Sequence, residues 1–297
     1  MAGVITIVIL LCWYQSARQT ALAFVWWWAL AAALCWGGFS TAYLMIDQSH
    51  WVTGWADQAC YFSAILILCP FIAILGARRP VANVWSLFVV GPLILVLSWP
   101  LLVTWMNGSS QEPLQIQPPM LLGFVVVILM AIGNYFGTRF TLPVLMMGAA
   151  VILLVVPLTP AAPQFFPTKT AGRFWADGLL SLAAIFTVAS WKLRASMQQQ
   201  PLDRLWVGFR DCFGIVWAKR VLDRMNQVAV TKQWPVRLEL HGFVWNKQVT
   251  PNESIKTRID IEQNLRWILK RFVNQTWIDA YLSPTIDQNK LSNLDRL

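Results

Sequence analysis

Seven apolar runs, at 2–15, 22–46, 58–76, 81–106, 120–137, 140–158 and 174–191, follow one another through the first two thirds of the chain with scarcely a charge inside them. Runs of about 18 or more apolar residues are long enough to cross the hydrocarbon core of a bilayer as helices. Composition agrees: 57% of residues are hydrophobic and 12% charged, where a soluble chain carries roughly 25% charged residues. The pattern predicts an all-α polytopic membrane bundle of about seven transmembrane helices, followed by a small C-terminal α+β domain in the cytosol.

The first run is the shortest. At about 14 residues it would reach only about 21 Å as a helix, so it needs its polar flanks or a shallow position. It lacks the basic segment and the small-x-small cleavage site of a signal peptide, and is read as a retained span. Six spans with a processed or peripheral N-terminus would leave the C-terminal part on the same side.

Basic residues between the runs orient the bundle. Arg18, Arg78 with Arg79, and Arg139 follow the first, third and fifth runs, whereas 47–57 and 107–119 contain no Lys or Arg. The positive-inside rule then puts the arginine-bearing loops and the C-terminal part in the cytosol and the N-terminus outside, in a plasma or inner membrane. Only Lys169 and Arg173 run against the trend. Among the 18 tryptophans, Trp26, Trp27, Trp28 and Trp191 fall near inner ends and Trp51, Trp55, Trp105 and Trp175 near outer ends, as an aromatic belt requires. Pro70, the Gly91-Pro92 pair, Pro100 and Pro143 predict kinks.

The charge changes near Trp191, dividing the chain into a membrane domain (1–191) and a basic domain (192–297). From Lys192 onward there are 17 Lys and Arg against 10 Asp and Glu. Apolar spacing predicts an amphipathic helix over about 203–228, with Arg204, Arg210, Lys219, Arg220, Arg224, Asp203, Asp211 and Asp223 on its polar side. Alternation over 236–241, with Gly242 permitting a turn before 243–245, predicts strands. A second amphipathic helix is expected over about 260–282, with Arg266, Lys270 and Arg271 on its charged side, and a polar, frayed end beyond Ser283. About 90 structured residues are marginal alone, so docking on the membrane part is expected to support them.

Few residues suggest chemistry. Asp177 is the one acid inside a run, and an ionisable group in hydrocarbon is a candidate site; one turn from Arg173, it reads first as an interfacial or ion-paired residue. Gly133, Asn134, Tyr135 and Gly137 form a small, polar cluster that reads first as helix packing and second as the lining of a substrate cavity. Asp47, His50 and Asp57 share an outer loop and read as solvated. Cys12, Cys35, Cys60, Cys69 and Cys212 show no C-x-x-C pair, and His50 and His241 are the two histidines, so neither a metal nor another cofactor is expected. Motifs for zinc proteases, serine hydrolases, nucleotide-binding loops and aspartate-held diphosphates are absent from the sequence.

For the basic residues of the C-terminal domain, the expected partners beyond the lipid bilayer are anionic headgroups of the inner leaflet and a cytosolic or membrane protein. Acids interspersed with the bases argue against nucleic acid. The leading functional expectation is a non-enzymatic scaffold, adaptor or assembly factor whose cytosolic domain recruits a partner. The alternatives are a transporter or flippase for a neutral or lipid-like substrate, using Asn134 and Asp177, and a membrane-embedded enzyme acting on lipid, using His50, Asp57 and Asp177.

Overall fold

With no water to compete for them, the backbone groups of an apolar run in a bilayer are satisfied within the run itself as a helix, and in the computed structural model each of the seven runs is helical. The structure describes residues 2–45, 53–78, 82–108, 112–160, 169–194, 200–245 and 251–282. The membrane part comprises α1 (Ala2–Arg18), α2 (Ala23–Met45), α3 (Thr53–Leu75), α4 (Ala82–Leu97), α5 (Trp99–Met106), α6 (Pro118–Tyr135), α7 (Thr141–Val155, extended by a 3-10 turn Val156–Leu158) and α8 (Lys169–Arg194). The C-terminal part comprises α9 (Pro201–Thr231), β1 (Val236–Glu239), β2 (Gly242–Trp245), α10 (Pro251–Leu269) and α11 (Gln275–Leu282).

This is a helical membrane protein. Among the described residues, α2, α3, α6, α7 with its 3-10 turn, and α8 are each long and apolar enough to cross a bilayer. The α4–α5 pair makes a sixth span if counted as one, bent by 52°. The expected seventh, α1, is helical but has 17 residues, about 25 Å at the usual rise, and falls short of a hydrocarbon core about 30 Å thick.

Proline explains the bend. Pro100 stands in the first turn of α5 with no N–H to offer the preceding turn, and the helix breaks at Ser98. The Leu97 carbonyl at the break accepts from the Tyr61 hydroxyl at 2.7 Å. Pro70 and Pro92, by contrast, sit within continuous helices.

The central helix is α3, 78% of whose apolar stretch is buried against 17% for α8. At the α1–α2 crossing, Gly3 lies so close to Gly37 that a Cβ there would come within 2.3 Å of the Gly37 Cα. Two bare backbones meet, as small residues allow in membrane helices. Trp26 is buried and donates to the Leu10 carbonyl of α1 at 2.8 Å, so it joins helices rather than the belt. Trp27, Trp55, Trp105 and Trp175 are all at least half exposed.

The C-terminal part has its own core, in which Trp206, Phe209, Phe213, Leu265 and Ile278 are fully buried. Strands β1 and β2 pair antiparallel, Val236 opposite Trp245 and Glu239 opposite Gly242, as the alternation predicts. Two expectations need correction. The helix foreseen over 203–228 is interrupted at Gly214, where φ is 80° and ψ 175°. The helix foreseen over 260–282 is two helices: the chain turns between Leu269 and Gln275, and the Asn274 side chain caps α11 by accepting from the Trp277 N–H at 3.0 Å.

Candidate functional site: the junction between the membrane helices and the C-terminal domain

The break in α9 is built around one side chain of α6. Gly214 lies in a backbone region open essentially to glycine alone, and a Cβ there would come within 2.5 Å of three atoms of the Asn134 amide. Interrupting the helix releases the Val216 N–H, and Asn134 Oδ1 accepts it at 3.1 Å. Asn134 is thus a helix-packing group, 3% exposed. It packs not between spans but between a span and the C-terminal domain.

Around this contact the two parts are tied at several further points. The Tyr135 hydroxyl donates to the Cys212 carbonyl at 3.3 Å. Arg139, in the turn after α6, pairs with Asp211 (Nε to Oδ2, 3.1 Å) and stacks against Phe140 and Trp191, with ring centroids 4.8 and 5.0 Å away. The other oxygen of Asp211 accepts from Arg210 Nε and Nη2 at 3.0 and 2.8 Å, while Arg210 Nη1 donates to the Leu240 carbonyl of the hairpin. Trp217 Nε1 donates to the Ile74 carbonyl at the end of α3. The α1–α2 connection is clasped from the far end of the chain: the Ala21 N–H donates to the Phe272 carbonyl, the Asn274 N–H to the Gln19 carbonyl, and Thr20 bridges Val273.

Asp211 and Arg210 are therefore not on a solvated face, as helix periodicity predicts, but 1% and 8% exposed. Two arginines around one carboxylate make removal of the carboxylate costly, since it would leave buried cations uncompensated. Helical spacing could not place Asp211 at a junction, because the partner that draws it there, Arg139, comes from the α6–α7 turn far earlier in the chain.

The other basic candidates divide. Lys219, Arg220 and Arg224 are exposed on α9; Lys219 pairs with Asp223, Arg220 lies over Trp217 and Arg224 donates to Gln227. On the α10–α11 side, Lys270 and Arg271 are exposed, with Arg271 over the exposed Trp267. Arg266 is held by Glu262 and Asp279, and Arg204 is part-buried in the first turn of α9.

At the other end of the bundle, Asp57 departs from its reading as a solvated loop residue. It lies in the N-terminal part of α3 at 1% exposure, and its carboxylate binds Lys169 Nζ at 2.6 Å and Arg173 Nη2 at 2.7 Å, both from the first turns of α8. Arg173 is thus engaged by Asp57, and also lies over the Phe39 and Tyr43 rings. Asp177, its expected partner, accepts instead from Trp36 Nε1 at 3.1 Å. Asp47 and His50 lie outside the described residues, so the loop trio is not described as a group.

Among the described residues, cavities open between the helices, two of them along α1. One, of about 200 Å³, lies between α1, α2, α3, α7 and α8; the other, of about 240 Å³, continues toward the junction. Among the described residues, no three His, Cys, Asp or Glu side chains gather where a metal ion could be held. No protein-family model matches the chain, and comparison with curated proteins and with solved structures gives no match either.

Proposed function

We propose that the protein is a membrane scaffold whose C-terminal domain is held in a fixed pose against the inner ends of the spans and offers its basic outer surface to a partner protein. The observation that supports this reading is the clasp itself. Side chains and backbone from the α1–α2 connection, the end of α3 and the α6–α7 turn bind a domain that is too small to be robust alone. A domain fixed in this way presents Lys219, Arg220, Arg224, Lys270, Arg271 and Trp267 in one orientation, and basic and aromatic groups suit both protein partners and the anionic inner leaflet.

In this reading the N-terminus is outside and the C-terminal domain cytosolic. Pairing of Lys169 and Arg173 with Asp57 supports that orientation, because the two cations that run against the positive-inside trend are partly neutralised on the spot.

The test is crosslinking and co-purification from native membranes. A K219E/R220E/R224E variant is expected to keep its elution profile and to lose at least tenfold of the partner captured by the unaltered chain. Recovery of a lone monomer from the unaltered chain, or equal capture by the variant, contradicts the proposal.

A further inference from the structure

On the α10–α11 side of the C-terminal domain, Arg266 engages the carboxylates of Glu262 and Asp279. The neighbouring Lys270 and Arg271 are exposed, and among the described residues no carboxylate pairs with either. The Arg271 guanidinium lies over the Trp267 ring, 5.3 Å from its centroid, and that indole is 56% exposed. An exposed indole, a stacked guanidinium and an ammonium group thus share one end of α10. The basic stretch of α9 is built differently: the ring beneath Arg220 is the buried Trp217, and Lys219 is paired with Asp223.

Hydrogen bonds fix where this end of α10 stands. The Phe272 carbonyl accepts the Ala21 N–H and the Asn274 N–H donates to the Gln19 carbonyl, so the turn after α10 is bonded to the short connection between α1 and α2. Because α2 is apolar enough to cross the bilayer from Ala23 onward, that connection lies at the membrane surface. Lys270 and Arg271 stand two residues and one residue before Phe272, within about 8 Å of its Cα. Trp267 comes five residues before Phe272, and Trp27, six residues after Ala21, is also 56% exposed. An exposed indole therefore lies close on each side of the seam, and indoles favour the headgroup level. Arg18, exposed at the end of α1, adds a third cation. Guanidinium and ammonium groups donate to phosphate oxygens, and the bilayer supplies phosphate at this depth. A zwitterionic headgroup would set its own cation against these. We propose that Trp267, Lys270 and Arg271 bind the headgroup of an anionic phospholipid in the leaflet next to the α1–α2 connection, the indole among the headgroups and the two cations on the phosphate. This divides the basic surface and leaves the α9 side to a protein partner; it rests on the clasped pose of the scaffold reading and not on recruitment.

The experiment places a bimane fluorophore one turn before Trp267, at the exposed Gln263, through Gln263→Cys in the full chain with its native cysteines replaced. The chain is reconstituted in phosphatidylcholine vesicles in which a minor fraction of the lipid, either phosphatidylglycerol or phosphatidylcholine, carries a nitroxide high on its acyl chain. Spin-labelled phosphatidylglycerol is expected to quench at least threefold more strongly than spin-labelled phosphatidylcholine. K270E/R271E is expected to abolish that preference, and W267A to weaken quenching by both lipids. K232E/R237E, which reverses two exposed charges just beyond α9 and on β1, is expected to leave the preference unchanged. Equal quenching by the two lipids, no quenching by either, or a preference that survives K270E/R271E would each overturn the proposal. Crosslinks from a photoreactive group at position 263 to a second polypeptide in native membranes would do the same. If cysteine replacement prevents folding, the motionally restricted fraction of the two spin-labelled lipids around the otherwise unaltered chain, with and without K270E/R271E, decides the question. Loss of the lipid preference leaves partner capture and its K219E/R220E/R224E control untouched, so the two readings fail separately.

Discussion

Asp203 shows how a single carboxylate reports the state of the C-terminal domain. It stands in the first turn of α9 and accepts the Phe243 N–H at 2.8 Å. Burial pushes its pKa above the ordinary carboxylate value, and the Phe243 N–H and Arg258 only partly oppose that shift. Its ionised form is therefore less favoured in the folded than in the unfolded chain. The contribution of this group to stability grows as pH falls through its folded pKa and levels off below the unfolded value near 3.9. Asp203→Asn keeps the acceptor and removes the charge. It is expected to raise the melting temperature of the C-terminal domain at pH 7 relative to the unaltered chain, and the gain is expected to vanish near pH 4. Thermal scans at the two pH values, monitored by tryptophan fluorescence, check this; a gain that persists at low pH contradicts it.

At the scale of elements, Gly214 sets how α9 meets Asn134 of α6. Gly214→Ala combines a strained backbone, costing about 1–3 kcal/mol, with a collision against Asn134. The expected result is a domain that leaves the spans, read as faster proteolysis after Thr231 while α1–α8 stay intact in detergent. The same element shows where reading the sequence stops. Apolar length locates α2, α3, α6, α7 and α8, and alternation locates the hairpin, because lipid and a half-buried sheet each impose a local period. The interruption at Gly214 and the turn at 270–274 have no such period; both arise where α9 and the α10–α11 turn meet residues more than 80 positions away in the chain. Asn134 could be singled out as a packing residue from its small neighbours, but not its partner. Asp57 reads as solvated because it precedes an apolar run, and only α8, more than a hundred residues later, brings the two cations that bury it.

For the molecule as a whole, orientation is the property with the most direct test. A cysteine introduced at the exposed Lys270, in a chain whose native cysteines are replaced by serine or alanine, is expected to react with a membrane-impermeant maleimide in inside-out vesicles and not in intact cells. The reverse labelling would invert the topology and remove the anionic leaflet as a neighbour of the C-terminal domain. The interior argues in the same direction as the scaffold reading. One end of the bundle carries a carboxylate with two cations, the other a second carboxylate with two arginines, and the cavities among the helices are walled mostly by hydrocarbon.

The seam that joins Gln19–Ala21 to Phe272–Asn274 also sets an order of events during synthesis. About 250 residues separate its two sides, and a ribosome adding roughly 5–20 residues each second needs about 12–50 s to make them. Throughout that interval α1, 17 residues long, has α2 beside it at the Gly3–Gly37 crossing but lacks the strap that later fastens its C-terminal end. α1 is thus made well before its strap, which forms only once Phe272–Asn274 have been synthesised.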